Sequence, residues 1–213
     1  MAGGRDAGQG GVMSNHGAQF WDDLYGSRDQ VFSGRPNGVL VTEVTDLPPG
    51  RALDVGCGEG ADARWLAQRG WQVTAIDISR TALDRAATTD PDLADRVTWT
   101  ALDLTQTPPP GEFDLVTAQY FPLLKQAGDA GPRGLVAAVA PGGTLLVASH
   151  DPADLPPGTD HGFDPADYWH PADIAALLGD DWTILANESR PRTTPAPPGT
   201  HHQNDTVLLA CRR

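Results

Sequence analysis

The sequence predicts an α/β fold, a mostly parallel sheet of about seven strands with an antiparallel last strand and helices on both faces. Three observations predict it. Short apolar runs alternate with helical stretches from Arg51 to Ser149. The run Arg51 to Asp62, RALDVGCGEGAD, joins a buried strand to a helix through a tight glycine turn. The following strands, Trp71 to Ile78 and Arg96 to Leu104, each carry a carboxylate at or near the C-terminal end, as strands that address a ligand do.

Taken in order, Gln19 to Gly26 places Phe20, Leu24 and Trp21 on one helical face, and a second helix is expected over Pro36 to Asp46. Strand Arg51 to Val55 and helix Ala61 to Arg69 flank the glycines. Strand Gln72 to Asp77 leads to helix Thr81 to Ala87, for which Ser79 is a suitable N-cap because its hydroxyl can accept from a free amide. Strands Val97 to Asp103 and Phe113 to Ala118 follow. Helix Pro132 to Ala140 is expected to stop at Pro141, Gly142 and Gly143, before strand Thr144 to Ser149. Pro171 opens a helix ending at Gly179, and Trp182 to Glu188 pairs antiparallel with Thr206 to Cys211. The long loops Asp151 to Tyr168 and Ser189 to Asn204 have the lengths of lids or binding loops.

The chain has 213 residues, enough for one domain with a substantial core. A glycine-rich disordered tail is expected at 1–13 and a single domain at 14–213, with an N-terminal helical lid at 17–47. The formal charge is −13 and Lys125 is the only lysine, so no basic stripe offers a groove for nucleic acid or an anionic membrane. Cys57 and Cys211 are too few for a disulfide framework, there is no basic cleavable leader, and a cytoplasmic setting is expected. No metal is expected: of His201, His202 and Asp205, the adjacent histidines on an extended segment point opposite ways, and Asp151, Asp154, Asp160 and Asp164 lack the spacing of a calcium loop. Those aspartates are expected to form a solvated acidic face at the mouth of the site.

The glycine turn selects the ligand. Gly56 and Gly58 bring bare amides against it, a spacing that also fits the loose dinucleotide fingerprint G-x-G-x-x-G/A. Asp54, two residues before Gly56, decides between them: a carboxylate there takes up an ammonium and repels a pyrophosphate. S-adenosylmethionine (SAM) has the ammonium and lacks the pyrophosphate. Asp77 can hold ribose hydroxyls, and Asp103 with Leu104 can meet an adenine amino group and ring. An acceptor would sit against the loops after strands one, four and five, where His150 is the candidate base, Tyr120 a candidate orienting hydroxyl and Phe121 an apolar wall. The blander roles are a loop-capping histidine and packed rings.

Through LDVGCGEG, the acid of AIDIS, the acid of ALDL and the strand FDLV, the chain resembles the class I SAM-dependent methyltransferases over Leu53 to Ala148. The segment FWDDLYGSRDQVFSGRPN is similar to the thiopurine and tellurite-resistance methyltransferase group, whose members methylate soft sulfur, selenium or tellurium nucleophiles. The resemblance implies a Rossmann-like class I methyltransferase fold and a SAM pocket of Asp54, Gly56, Cys57, Gly58, Asp77, Ile78, Asp103, Leu104 and Gln119. Trp21, Tyr25 and Arg35 would close over it, with Tyr25 standing where the group commonly has tryptophan and Arg35 either pairing the cofactor carboxylate or lying on the surface. Phe32, Tyr120, Phe121 and His150 would face the acceptor, with His150 and Tyr120 as catalytic candidates. The expected reaction is methyl transfer from SAM to a small-molecule thiol or other soft nucleophile, leaving S-adenosylhomocysteine, by a monomer or homodimer. N- or O-methylation of a natural product is the enzymatic alternative, and a noncatalytic SAM-binding sensor the alternative of another class.

Overall fold

The computed structural model describes residues 17–155, 163–194 and 202–213. The expected tail therefore lies outside the described residues, as do Asp160 and His201. Two short helices, α1 (Ala18–Gly26) and α2 (Gly38–Val44), precede the sheet. Strands β1 (Arg51–Val55), β2 (Gln72–Asp77), β3 (Val97–Ala101), β4 (Phe113–Gln119) and β5 (Val139–His150) are parallel. They alternate with α3 (Ala61–Gln68), α4 (Arg80–Thr89) and α5 (Ala130–Ala137). After α6 (Pro171–Ala175), β6 (Trp182–Pro191) forms the edge and β7 (Asn204–Arg212) inserts antiparallel between β5 and β6. The resulting order is β3-β2-β1-β4-β5-β7-β6, so the strand order reverses between β1 and β4.

Period-two alternation sends successive side chains to opposite faces and builds two cores. Leu53, Val55, Ile76, Val116, Leu145 and Leu208 pack with Leu135 of α5 and Ile174 of α6. Ala52, Val73, Leu115, Leu146 and Val207 pack with Leu40 of α2 and Leu66 of α3. Asp54 lies in the alternation of Ala52 and stands opposite Thr117 of β4, so the second face carries a buried polar row at its C-terminal end.

Among the boundaries that differ from the sequence expectation, α6 stops at Ala175 and not at Gly179, β3 stops at Ala101 and not at Asp103, and three others have a non-local reason. β5 starts at Val139, through Pro141, Gly142 and Gly143, because Phe113 pairs with Val139 across a register shift and its amide donates to Ala138 O at 2.8 Å. Residues expected to stop a helix are thus drawn into a bulged strand start. α2 is trimmed to Gly38–Val44, since the Asn37 amide and Nδ2 donate to Asp62 at 2.7 and 2.8 Å instead of continuing a helix. β6 continues to Pro191, opposite Asn204, which carries Arg192 to the C-terminal end of the sheet. No helix of the described residues is long and apolar enough to cross a membrane.

Candidate functional site

The site is built where β1 ends. Gly56 and Gly58 adopt φ of +68° and +51°, a left-handed region that a Cβ disfavours. Space forbids a side chain as well. A Cβ on Gly56 would lie 2.5 Å from Cδ2 of Phe121, and one on Gly58 would lie 2.6 Å from the Tyr25 hydroxyl. The turn is anchored by the Gly56 and Cys57 amides, which both donate to Ile76 O, at 2.9 and 3.1 Å.

Around this turn stand three buried carboxylates. Asp77 accepts from the Gly58 amide through Oδ2 and from the Ser79 amide through Oδ1, both at 2.8 Å. Asp62 is held by Asn37. Asp54 is 2% exposed, and its Oδ2 has no hydrogen-bond partner; neither does Oε1 of Gln119, whose Nε2 donates to Thr117 at 2.9 Å. Burial raises all three carboxyls above the ordinary range, and for Asp54 the charges of Asp62 and Asp77 add to it. Burial also raises the Cys57 thiol, further than Asp54 and Asp77 do, so it stays protonated. A buried carboxylate oxygen and a buried amide oxygen left without partners are each costly unless a donor reaches them. An ammonium does so, and SAM carries one.

Of the other residues expected in the pocket, Ile78 is half-buried, Leu104 is buried, and Asp103 lends Oδ1 to the Thr105 amide and hydroxyl at 2.9 and 2.7 Å. Trp21, Tyr25 and Phe32 form a run of rings, with centroids 6.4 and 6.0 Å apart, whose middle member, Tyr25, sets its hydroxyl against Gly58. Tyr25 is 3% exposed, whereas Phe32 is 57% exposed. Burial raises the Tyr25 phenol, aided by Asp77, so it remains neutral. Arg35 is exposed and makes no ion pair among the described residues; only its backbone amide is engaged, by Ser33 Oγ at 3.2 Å. It is not drawn toward the glycine turn by any contact.

Two residues that sequence reasoning passed over dock the N-terminal segment. Asp22 accepts from the Ser79 hydroxyl at 2.7 Å and the Thr81 amide at 3.0 Å, and the Ser79 bond foremost holds its carboxyl below the ordinary value. Glu59, inside the glycine turn, accepts from the Val31 and Phe32 amides at 3.2 and 3.1 Å and pairs with Arg85 at 3.3 Å. The signal for Asp22 was its place one residue after Trp21, facing a helix whose N-cap was already read. Asp22→Ala should cost about 1 kcal/mol of local stability, the usual scale for one net hydrogen bond. Hydrogen exchange of α1 checks it: protection should fall there and not in β4 or β5.

The other half of the site lies at the ends of β4, β5 and β7. Tyr120 has φ +55° without being glycine, and such an outlier costs about 1–3 kcal/mol unless its surroundings hold it. What holds it is a packed cluster. The Tyr120 ring lies 4.4 Å from that of His150, and His150 lies 3.8 Å from His202, the last two rings only 7° from parallel. Arg192 Nη1 donates both to Asp205 Oδ1 at 2.7 Å and to His150 Nδ1 at 2.9 Å, and its guanidinium sits 5.2 Å from the Tyr120 ring centroid. Burial, then the Asp205 charge, raises the Tyr120 phenol, so it stays neutral. His150 caps no loop backbone among the described residues. Sequence reasoning did not place Arg192, Asp205 and His202 beside His150, since the β5–β7 and β6–β7 registers bring them there.

The aspartates expected to form a free acidic face do other work. Asp151 and Asp164 cap short turns by accepting from the Ala153 and Ala166 amides at 2.8 and 2.9 Å. Asp154 clamps the start of β7, accepting from the Gln203 and Asn204 amides at 2.6 Å each and from Asn204 Nδ2 at 2.8 Å. Those bonds outweigh its desolvation and lower its carboxyl.

The sequence profile of the methyltransferase-domain family matches residues 52–143. Trans-aconitate 2-methyltransferase of Rhizobium meliloti (strain 1021) is 37% identical over 129 residues, 57% of this chain and 47% of that protein. The chain thus spans about half the length of that curated relative. Ubiquinone biosynthesis O-methyltransferase of Xanthomonas campestris pv. campestris (strain B100) is 31% identical over 184 residues, 76% of this chain and 74% of the relative. Among solved structures, the N-methyltransferase NodS from Bradyrhizobium japonicum WM9, in complex with S-adenosyl-L-homocysteine, superposes with a TM-score of 0.69 at 17% identity. That match covers 92% of this chain and 97% of NodS and shows the shared fold.

Proposed function

Because the chain belongs to the class I SAM-dependent methyltransferases, we propose that it transfers the methyl group of SAM to a small-molecule thiol or other soft nucleophile. The pocket reading rests on the orphan oxygens of Asp54 and Gln119 for the ammonium, on Asp77 for the ribose and on Asp103 with Leu104 for adenine. Gly56 and Gly58 let the backbone approach, Cys57 and Ile78 line the turn, and Trp21 and Tyr25 cover it. Bound there, SAM supplies a methyl carbon already activated by its sulfonium.

The observation that carries the choice of acceptor is the Arg192 bond to His150 Nδ1. Arginine only donates, so Nδ1 must accept, and a neutral His150 then carries its proton on Nε2. To act as a base it would have to take a proton at the nitrogen that Arg192 covers. Tyr120 is equally unfit, its phenol being raised by burial and by Asp205. The acceptor must therefore arrive with an available lone pair. A thiol of ordinary pKa, about 8.5, supplies some thiolate at neutral pH, and a neighbouring sulfonium enlarges that fraction. The thiolate sulfur attacks the methyl carbon, the methyl–sulfonium bond breaks with its electrons returning to that sulfur, and the thiol proton leaves to solvent. Phe121, packed over Gly56, excludes water from this line of attack.

The names of the relatives favour a second reading, an oxygen acceptor. With no free base among the described residues, that oxygen must itself be ionised, as in a carboxylate, while phenols and alcohols are disfavoured. The test is methyl transfer from isotope-labelled SAM to thiols, carboxylates, phenols and amines, with products identified by mass. Thioether formation whose rate rises with pH along the thiol's own ionisation is expected. His150→Ala should lower kcat/KM about tenfold, the scale of one hydrogen bond, rather than the roughly 10²–10⁴-fold loss of a general base. Phenol turnover abolished in His150→Ala would overturn the base-free reading, and SAM binding without any product would favour a sensor.

A further inference from the structure

We propose that Arg192 and Asp205 are positioning residues that hold His150 as an Nε2–H hydrogen-bond donor to the acceptor, an inference that rests on the methyl-transfer reading. Asp205 is 2% exposed and lies directly opposite His150 in the β5–β7 ladder. A direct Asp205–His150 bond would fix the opposite tautomer, with the proton on Nδ1. The distances decide against it: His150 Nδ1 to Asp205 Oδ1 is 3.7 Å, beyond hydrogen-bond range, whereas Arg192 Nη1 reaches the two at 2.9 and 2.7 Å. The two protons of Nη1 serve one partner each.

The cluster forms a scaffold around the imidazole from four directions. Arg192 comes from the segment after β6, Asp205 from β7, Tyr120 from the strained end of β4 and His202 from the segment before β7. His202 is pushed down to about 4, by burial first and then by His150 and Arg192, so it stacks on His150 uncharged at neutral pH. Asp154 and Asp205 oppose that shift without cancelling it. Arg192 and Asp205 compensate each other's charge, so the cluster presents no free cation. With Nδ1 committed, Nε2–H is the polar group His150 has left, and it makes no hydrogen bond among the described residues. A neutral donor beside the methyl-transfer line suits an acceptor atom that is anionic or rich in lone pairs, and it orients such an atom without protonating it.

The tautomer is readable without turnover. Long-range ¹⁵N–¹H NMR of the full chain at pH 7.5 should show His150 with Nε2 protonated and Nδ1 bare. Arg192→Met should convert it to a mixture of tautomers or to the Nδ1–H form, and Arg192→Lys should restore much of the Nε2–H signal. With a turned-over thiol, Arg192→Met and Asp205→Asn should each lower acceptor kcat/KM about tenfold, with SAM affinity within twofold of wild type. A wild-type His150 protonated on Nδ1, or a tautomer unaltered by Arg192→Met, would overturn the proposal. So would losses in SAM affinity that parallel those in kcat/KM. Failure to methylate any acceptor would instead remove the functional reading while leaving the NMR result standing.

Discussion

Gly56→Ala should destabilise the protein by about 2–5 kcal/mol and remove measurable SAM binding. Two costs add. A residue with a Cβ in the left-handed region loses about 1–2 kcal/mol, and Gly56 has φ +68°. Overpacking against a filled site costs about 1–3 kcal/mol more, and here the new Cβ meets Cδ2 of Phe121 at 2.5 Å. The phenyl ring cannot yield as a flexible chain end would, because it also packs against the core of Leu53, Val55 and Val116. Denaturant unfolding and calorimetric titration with SAM check both effects. The double variant with Phe121→Ala separates them: it should recover the steric part and leave the conformational part. A Gly56→Ala protein with wild-type stability and SAM affinity would show that the turn tolerates a side chain and is not set by close approach.

That turn was legible in the sequence because everything that shapes it is local. An apolar strand, three glycines at alternate positions and a helix start within twelve residues leave little choice of backbone, and Asp54 and Asp77 fall at strand ends by the same count. Legibility ended where pairing partners are far apart. Arg192 is 42 residues from His150 and sits in a proline-rich stretch that reads as loop; only the ladder from Trp182↔Arg212 to Pro191↔Asn204 brings it to the sheet end. Asp205, read with two neighbouring histidines as an unlikely metal site, is buried by the β5 pairing that the sequence pattern alone does not register. The bulged start of β5 was missed for the same reason, since Pro141, Gly142 and Gly143 stop a helix locally and tolerate a strand start only because Phe113 pairs with Val139. Arg35 stays exposed, with no ion pair among the described residues.

The carboxylate trio gives the second large effect, and its sign is fixed by burial. Asp54, Asp62 and Asp77 all titrate above the ordinary value of 3.8 in the folded chain. The folded state therefore binds more protons than the unfolded state between that value and the raised ones, and linkage makes ligand-free stability fall as pH rises through this window. The penalty is absent below the ordinary carboxylate value and complete above the raised ones. Asp22, Asp154 and Asp173 titrate low and act oppositely below 3.8, and His202, pushed down from 6.5 to about 4, opposes the trio between those two values, so the Asp54→Asn variant is needed to read the trio's own share of the slope. SAM reverses the trio's balance, because a cation favours the ionised carboxylates. Its binding should release protons and tighten as pH rises toward 7, below the point, at about 7.7–8.0, where an α-amino group begins to lose its own charge. Calorimetry between pH 5 and 7 in buffers of different ionisation enthalpy reads the release directly. Asp54→Asn should do two opposite things: raise the neutral-pH stability of the free protein by removing a buried charge, and weaken SAM by about 1.5–3 kcal/mol through loss of a charged hydrogen bond. Proton uptake on binding, or an Asp54→Asn protein that binds SAM as tightly as wild type, would take the ammonium away from Asp54 and leave its orphaned Oδ2 without this partner.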